Sequence, residues 1–244
     1  MTHKFTQGLI LAVSALGLSA LPALADSACA PGSLSTYVDS LYGGTAASNF
    51  SCFVTADGAT LDFSNFTYNT AGTNPVPVSS VGVVAATSPD GPGLEFDPDA
   101  TISGKNLSSD VNVGFTVTAE NGALISDIYL AFDGVSVANG GTVALTEQFC
   151  SLMGTCTTEI EDPTTALSDS FPLSSTALGG PVSSLVITKD LQLTTGNKSG
   201  AQASDSGFMN EYSAVPEPRS ISLILTVGLL AGFAFFKRRQ VTQS

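Results

Sequence analysis

Hydrophobic and polar residues alternate with a period of two through most of this chain. Val111, Val113, Phe115 and Val117 interleave with Asn112, Gly114, Thr116 and Thr118, and Ile128, Leu130 and Phe132 form a second such run. Leu61, Phe63 and the pair Phe66/Tyr68 belong to another, as do Val143 with Leu145, Leu185 with Ile187, Leu191 with Leu193, and the segment Phe208 to Tyr212. Alternation of this kind puts one face of each strand into a core and the other into water. Turn-forming groups separate the runs: Asn121-Gly122, Asp133-Gly134, Asn139-Gly140-Gly141 and Gly179-Gly180-Pro181. Many short strands punctuated this way predict an all-β fold, an antiparallel β-sandwich rather than a barrel. One segment breaks the pattern. Leu34, Tyr37, Val38, Leu41 and Tyr42 recur at helical spacing after Ser33 and before Gly43-Gly44, which predicts a short N-terminal helix.

The two ends are apolar in a different way. His3 and Lys4 precede an apolar run from Leu9 to Leu21, followed by Ala23-Leu24-Ala25. That order of charge, apolar stretch and small residues is a secretory signal peptide over residues 1–25, with Asp26 as the new N-terminus. Cys29 follows Asp26-Ser27-Ala28 rather than a leucine and two small residues, which excludes a lipid anchor there. Near the other end, Val215-Pro216-Glu217-Pro218-Arg219 leads into the apolar run Ile221 to Phe236 and then into Lys237-Arg238-Arg239. Sixteen helical residues span roughly 24 Å, just enough for a membrane if Arg219 and Lys237 reach outward. The basic cluster should remain cytoplasmic, which places the preceding chain across the inner membrane. Pro216 and Pro218 favour extended backbone before the helix, and Gly228 with Gly232 offers a close-approach face to another helix.

Motif, transmembrane helix and basic cluster over residues 215–240 together resemble the PEP-CTERM sorting signal of Gram-negative bacteria. The resemblance implies export, transient anchoring in the inner membrane and cleavage by the membrane protease exosortase. It also implies a place at the cell surface or in an extracellular matrix of exopolysaccharide and biofilm. A second resemblance, to a recurrent ectodomain of such proteins, rests on Cys29, Leu34, Tyr37, Leu41, Cys52, the segment Leu61 to Tyr68 and the stretch Ile128 to Glu147. It implies a β-rich fold over residues 26–214 and no catalytic residues.

Composition narrows the chemistry. The sole histidine is His3, inside the signal peptide, and tryptophan is absent. The exported body therefore has no imidazole for a Ser-His-Asp or Cys-His mechanism or for zinc. A non-catalytic role is the expectation, with a carboxylate-based glycoside-active enzyme as a distant third reading. Of the eight basic residues only Lys105, Lys189 and Lys198 lie between the end segments. The 21 acidic ones lose only Glu217, so the body carries a formal charge of −17. Such a body should repel nucleic acid and attract cations.

Asp90, Glu95, Asp97 and Asp99 concentrate hard oxygen ligands in a Gly/Pro-rich stretch and are the candidate calcium ligands. No other cofactor is expected. Glu159, Glu161 and Asp162 form a second acidic group. Sugar stacking, the basis of an alternative reading as a calcium-dependent carbohydrate-binding or adhesion module, would fall to Tyr37, Tyr42, Tyr68, Tyr129 or Tyr212. Asn49, Asn65, Asn106 and Asn197 lie in N-x-S/T patterns. Cys29, Cys52, Cys150 and Cys156 suit two disulfides in an oxidising compartment; three connectivities are open, and pairing of sequence neighbours, Cys29 with Cys52 and Cys150 with Cys156, is favoured.

Overall fold

The computed structural model describes residues 27–38, 50–161 and 168–216. These residues form an all-β, sandwich-like fold whose strands are paired antiparallel with one exception. The larger sheet has seven strands in the order β1 (Ser27–Ala28), β3 (Ser51–Ala56), β4 (Ala59–Gly72), β8 (Ser108–Ala119), β14 (Ser184–Thr195), β11 (Gly141–Ser151) and β12 (Cys156–Glu161). The facing sheet runs β13 (Ser168–Pro172), β9 (Ala123–Asp133), β16 (Gly207–Pro216), β6 (Gly91–Asp97), β5 (Gly82–Ser88) and β2 (Gly32–Ser33). A three-stranded sheet of β10 (Ser136–Ala138), β15 (Gln202–Asp205) and β7 (Ala100–Ser103) completes the fold. The exception is the parallel pairing of β1 with β3.

The alternating residues are the core. Phe63, Val111, Val113, Val117, Ile128, Leu130, Leu145, Leu185, Ile187, Leu191, Leu193, Phe208 and Tyr212 are all fully buried. The change of phase between Leu61/Phe63 and Phe66/Tyr68 has a local cause. The β4–β8 register shifts between Ser64 and Thr67, and Asn65 takes a positive φ of 56°. One inserted residue re-aims the following side chains by one position, so Phe66 and Tyr68 also face inward. Phe115 joins the sheets: its ring centroid lies 6.0 Å from that of Phe63 and 5.9 Å from that of Phe66 on its own sheet, and 5.6 Å from that of Phe96 opposite.

The N-terminal helix is a correction. The described part of that segment is a single 3-10 turn, Leu34–Thr36, closed by the Tyr37 and Val38 N–H groups donating to the Leu34 carbonyl. The Leu34 N–H donates to the Val81 carbonyl, which ties the start of the turn to the chain just before β5, and the Thr36 hydroxyl donates to the Ser33 carbonyl, where it competes with a helical backbone bond. Leu34, Tyr37 and Val38 are nonetheless buried. Leu41, Tyr42 and Gly43-Gly44 lie outside the described residues, as do residues 1–25, expected to be a signal peptide, and the apolar run 221–236, expected to be a transmembrane helix. Among the described residues no helix is long and apolar enough to cross a membrane.

Asn121-Gly122, with φ of 57° and 71°, does not close a hairpin. It carries the chain from β8 in one sheet to β9 in the other. Both disulfides are present as favoured, Cys29–Cys52 fastening the parallel β1 to β3 and Cys150–Cys156 bridging β11 to the edge strand β12.

Candidate functional site

Glu147, Lys189 and Asn210 are polar residues at inward-facing positions of the sandwich. Glu147 follows Val143 and Leu145 on β11, Lys189 follows Leu185 and Ile187 on β14, and Asn210 lies between Phe208 and Tyr212 on β16. Strand alternation forces all three side chains into the core, and each is fully buried. Glu147 and Lys189 are direct partners across β11 and β14; Asn210 comes from the facing sheet. The Lys189 Nζ donates to Glu147 Oε2 at 3.4 Å. The Asn210 Nδ2 donates to both carboxylate oxygens, at 2.9 Å to Oε1 and 3.1 Å to Oε2. Lys189 also sits 5.3 Å from the centroid of the Phe208 ring. Asn210 Oδ1 and the Tyr212 hydroxyl are buried without a hydrogen-bond partner. Burial, and then the charge of Glu147, hold the Tyr212 phenol well above its ordinary range.

Close backbone approach helps to place Asn210. A Cβ on Gly93 would lie 1.9 Å from the Asn210 carbonyl oxygen, so only glycine lets β6 sit this close to β16. Charges taken from water cost several kcal/mol each after relaxation unless their partners are well placed. This cluster therefore depends on the close fit of its three members.

The candidate calcium ligands do not converge as one group. Asp90 is at the β5–β6 turn, beside Ser213, whose hydroxyl donates to its carbonyl. Glu95 and Asp97 are at the far end of β6 and share a hydrogen bond, and Asp99 follows in the next turn. Two carboxylates not singled out from the sequence join them. Asp133 on β9 and Asp97 on β6 flank Gly207 of β16, where a Cβ would lie 2.6 Å from Asp97 Oδ1. Asp205 on β15 is buried, 1% exposed, with neither carboxylate oxygen hydrogen-bonded. Burial first, then the charges of Asp133 and Asp97, push its pKa up to about 8. Glu95 and Asp97 are also raised, in both cases chiefly by burial and next by neighbouring carboxylates. Among the described residues no three Asp, Glu, His or Cys side chains are placed to hold a metal ion.

Other candidates are dispersed. Glu159 lies opposite Glu147 on the edge strand β12, which ends at Glu161, and Asp162 is outside the described residues. Tyr37, Tyr68 and Tyr212 are core residues; Tyr129, on the outer face of β9, is the one partly exposed tyrosine among those described. Asn65, Asn106 and Asn197 are exposed, and Asn49 is not described. An open depression of about 270 Å³ is lined by Gly72, Ser108, Asp110, Gln192 and Thr194, among others. Of the residues expected to form a sorting motif, Val215 and Pro216 are described and belong to β16, opposite Leu124 and Ala123. Glu217, Pro218, Arg219, Lys237, Arg238 and Arg239 lie outside the described residues, as do Ala23, Ala25 and Asp26.

No protein-family model matches the chain, and no curated protein matches it. Among solved structures it is similar to TmCBM61, determined in complex with β-1,4-galactotriose, at 13% identity and a TM-score of 0.31, covering 62% of this chain and 88% of that one. It is also similar to the enzymatically active domain of tailspike protein 4 from bacteriophage CBA120, at 13% identity and a TM-score of 0.22, covering 62% of this chain and 20% of that one.

Proposed function

We propose that this chain is an exported, non-catalytic β-sandwich sorted through its C-terminal segment, with exosortase as its processing partner and the polysaccharide-rich cell surface or matrix as its working place. One observation carries the reading: the motif beginning Val215-Pro216 continues directly from β16, an interior strand of the sandwich, with no intervening linker. The motif thus begins inside the folded body, which would stay at the membrane until the segment is cut. The two disulfides fit an oxidising destination. Intact, non-reduced masses of the protein from membrane and extracellular fractions of its native host test this. The expected extracellular species begins at Asp26 and ends near Val215-Pro216. A single mature form that stays in the membrane and retains Lys237 to Ser244 would refute the sorting role.

A second reading, carbohydrate binding, is favoured by Tyr129, an aromatic side chain on an outer sheet face with Ser170 as its strand partner. Replacing Tyr129 with alanine should then weaken retention on matrix polysaccharide up to about tenfold, the loss of one stacking platform. Equal retention of both proteins, with and without calcium, would count against it.

A further inference from the structure

We propose that Lys189 and Asn210 become joined by an intramolecular isopeptide bond, with Glu147 moving the protons. An amine and a carboxamide from opposite sheets are gathered on one carboxylate in the core: a single oxygen, Glu147 Oε2, contacts both nitrogens, Lys189 Nζ at 3.4 Å and Asn210 Nδ2 at 3.1 Å. Nδ2 is the nitrogen that must leave. Glu147 therefore holds the nucleophile and the leaving group at once, as a group that takes a proton from one and delivers it to the other must do.

The surroundings suit the chemistry. All three side chains are fully buried, and the aromatic residues Phe208 and Tyr212 lie on either side of Asn210 along β16. Burial disfavours two separated charges, and transfer of the lysine proton to Glu147 removes both, leaving a neutral amine with a free electron pair. Fixed strands hold the groups together, which replaces a bimolecular encounter by an internal one.

The step balances without any further reagent. The amine lone pair attacks Asn210 Cγ, and a C–N bond forms. The proton lost by the attacking nitrogen and the one already on Glu147 are passed between the carboxyl group and Nδ2. The Cγ–Nδ2 bond then breaks, and the nitrogen departs as ammonia. The product is a Lys189–Asn210 amide with Glu147 left as a carboxylic acid beside it. No oxidant, reductant or activated donor is consumed.

The link would join interior strands of both sheets, β14 between β8 and β11, and β16 between β9 and β6. It is independent of how the ends of the chain are processed. Peptide mapping of the reduced full-length protein by mass spectrometry tests it. The expected result is a branched peptide containing Lys189 and Asn210, about 17 Da lighter than its two parts together, the mass of ammonia. The conservative variant Glu147→Gln should return both peptides unlinked, and so should Asn210→Ala. Wild-type protein that gives the two peptides separately at full mass would overturn the proposal. So would a product joining Lys189 to Glu147, which forms with loss of water and is about 1 Da lighter still. Should a variant fail to fold, the wild-type map alone decides.

Discussion

Truncating Phe115 to alanine is expected to lower the stability of the sandwich by about 3–5 kcal/mol, the range for removing a large buried aromatic. Phe115 is 2% exposed and touches aromatic rings on both sheets, stacking on Phe66 and Phe96 with interplanar angles of 29° in each case. Removing it leaves a void walled by other rings on rigid strands, which cannot collapse to fill it. Phe115→Leu retains most of the volume and should cost about 1–2 kcal/mol. Denaturant unfolding reads both, as a fall in midpoint with the slope unchanged. A loss below about 1 kcal/mol for the alanine variant would mean that the sheets do not close on Phe115.

Raising the pH is expected to destabilise the protein over a window where most proteins are at their most stable. Asp205 binds its proton up to about pH 8 when folded but only to about 3.9 when unfolded. Between those values the native state holds more protons, so stability is greatest below about pH 4 for this group and falls as pH rises toward 8. A single group of this kind contributes a slope of roughly 1.4 kcal/mol per pH unit. The two charged groups that act on it, Asp133 and Asp97, are both acidic residues. Glu95 and Asp97, also raised, act in the same direction. Asp205→Asn keeps the shape and removes the titration, so it should flatten the profile and raise stability at pH 8 by roughly 2 kcal/mol or more. A wild-type profile flat between pH 5 and 8 would show that Asp205 is not buried as described.

What the sequence revealed and what it hid have one physical basis. Alternation is local, so Val111 to Val117, Ile128 to Phe132 and Leu185 to Leu193 identified their inward faces without further help. Their pairing is not local. Nothing in Asn121-Gly122 says whether the chain turns within a sheet or crosses to the other, and it crosses. The helical spacing from Leu34 correctly marked buried side chains but not their backbone, which the carbonyl of Val81 draws to a sheet edge.

The candidate site follows the same division. Asp90 and Asp97 are close in sequence and at opposite ends of one strand. Asp133 and Asp205 are distant in sequence and meet Asp97 only through pairing across β16 and β15. The buried cluster left a trace that was legible in principle: Lys189 stands in phase with Ile187 and Leu191, Glu147 with Leu145 and Phe149, and Asn210 with Phe208 and Tyr212. A polar residue in the inward phase of a strand needs a partner. The sequence shows these residues in that phase without saying that they meet.

The position of β16 has a mechanical consequence. Its last residues, Val215 and Pro216, lead into the rest of the chain, while its body is clamped by β9 on one side and β6 on the other. Tension applied at that end runs along the strand, at right angles to its hydrogen bonds, so these are loaded in shear and must give way together rather than one after another. The pull reaches Asn210 after only a few residues, before it can disturb most of the sandwich. A tethered domain built this way would resist flow and drag at its point of attachment, where strain first arrives.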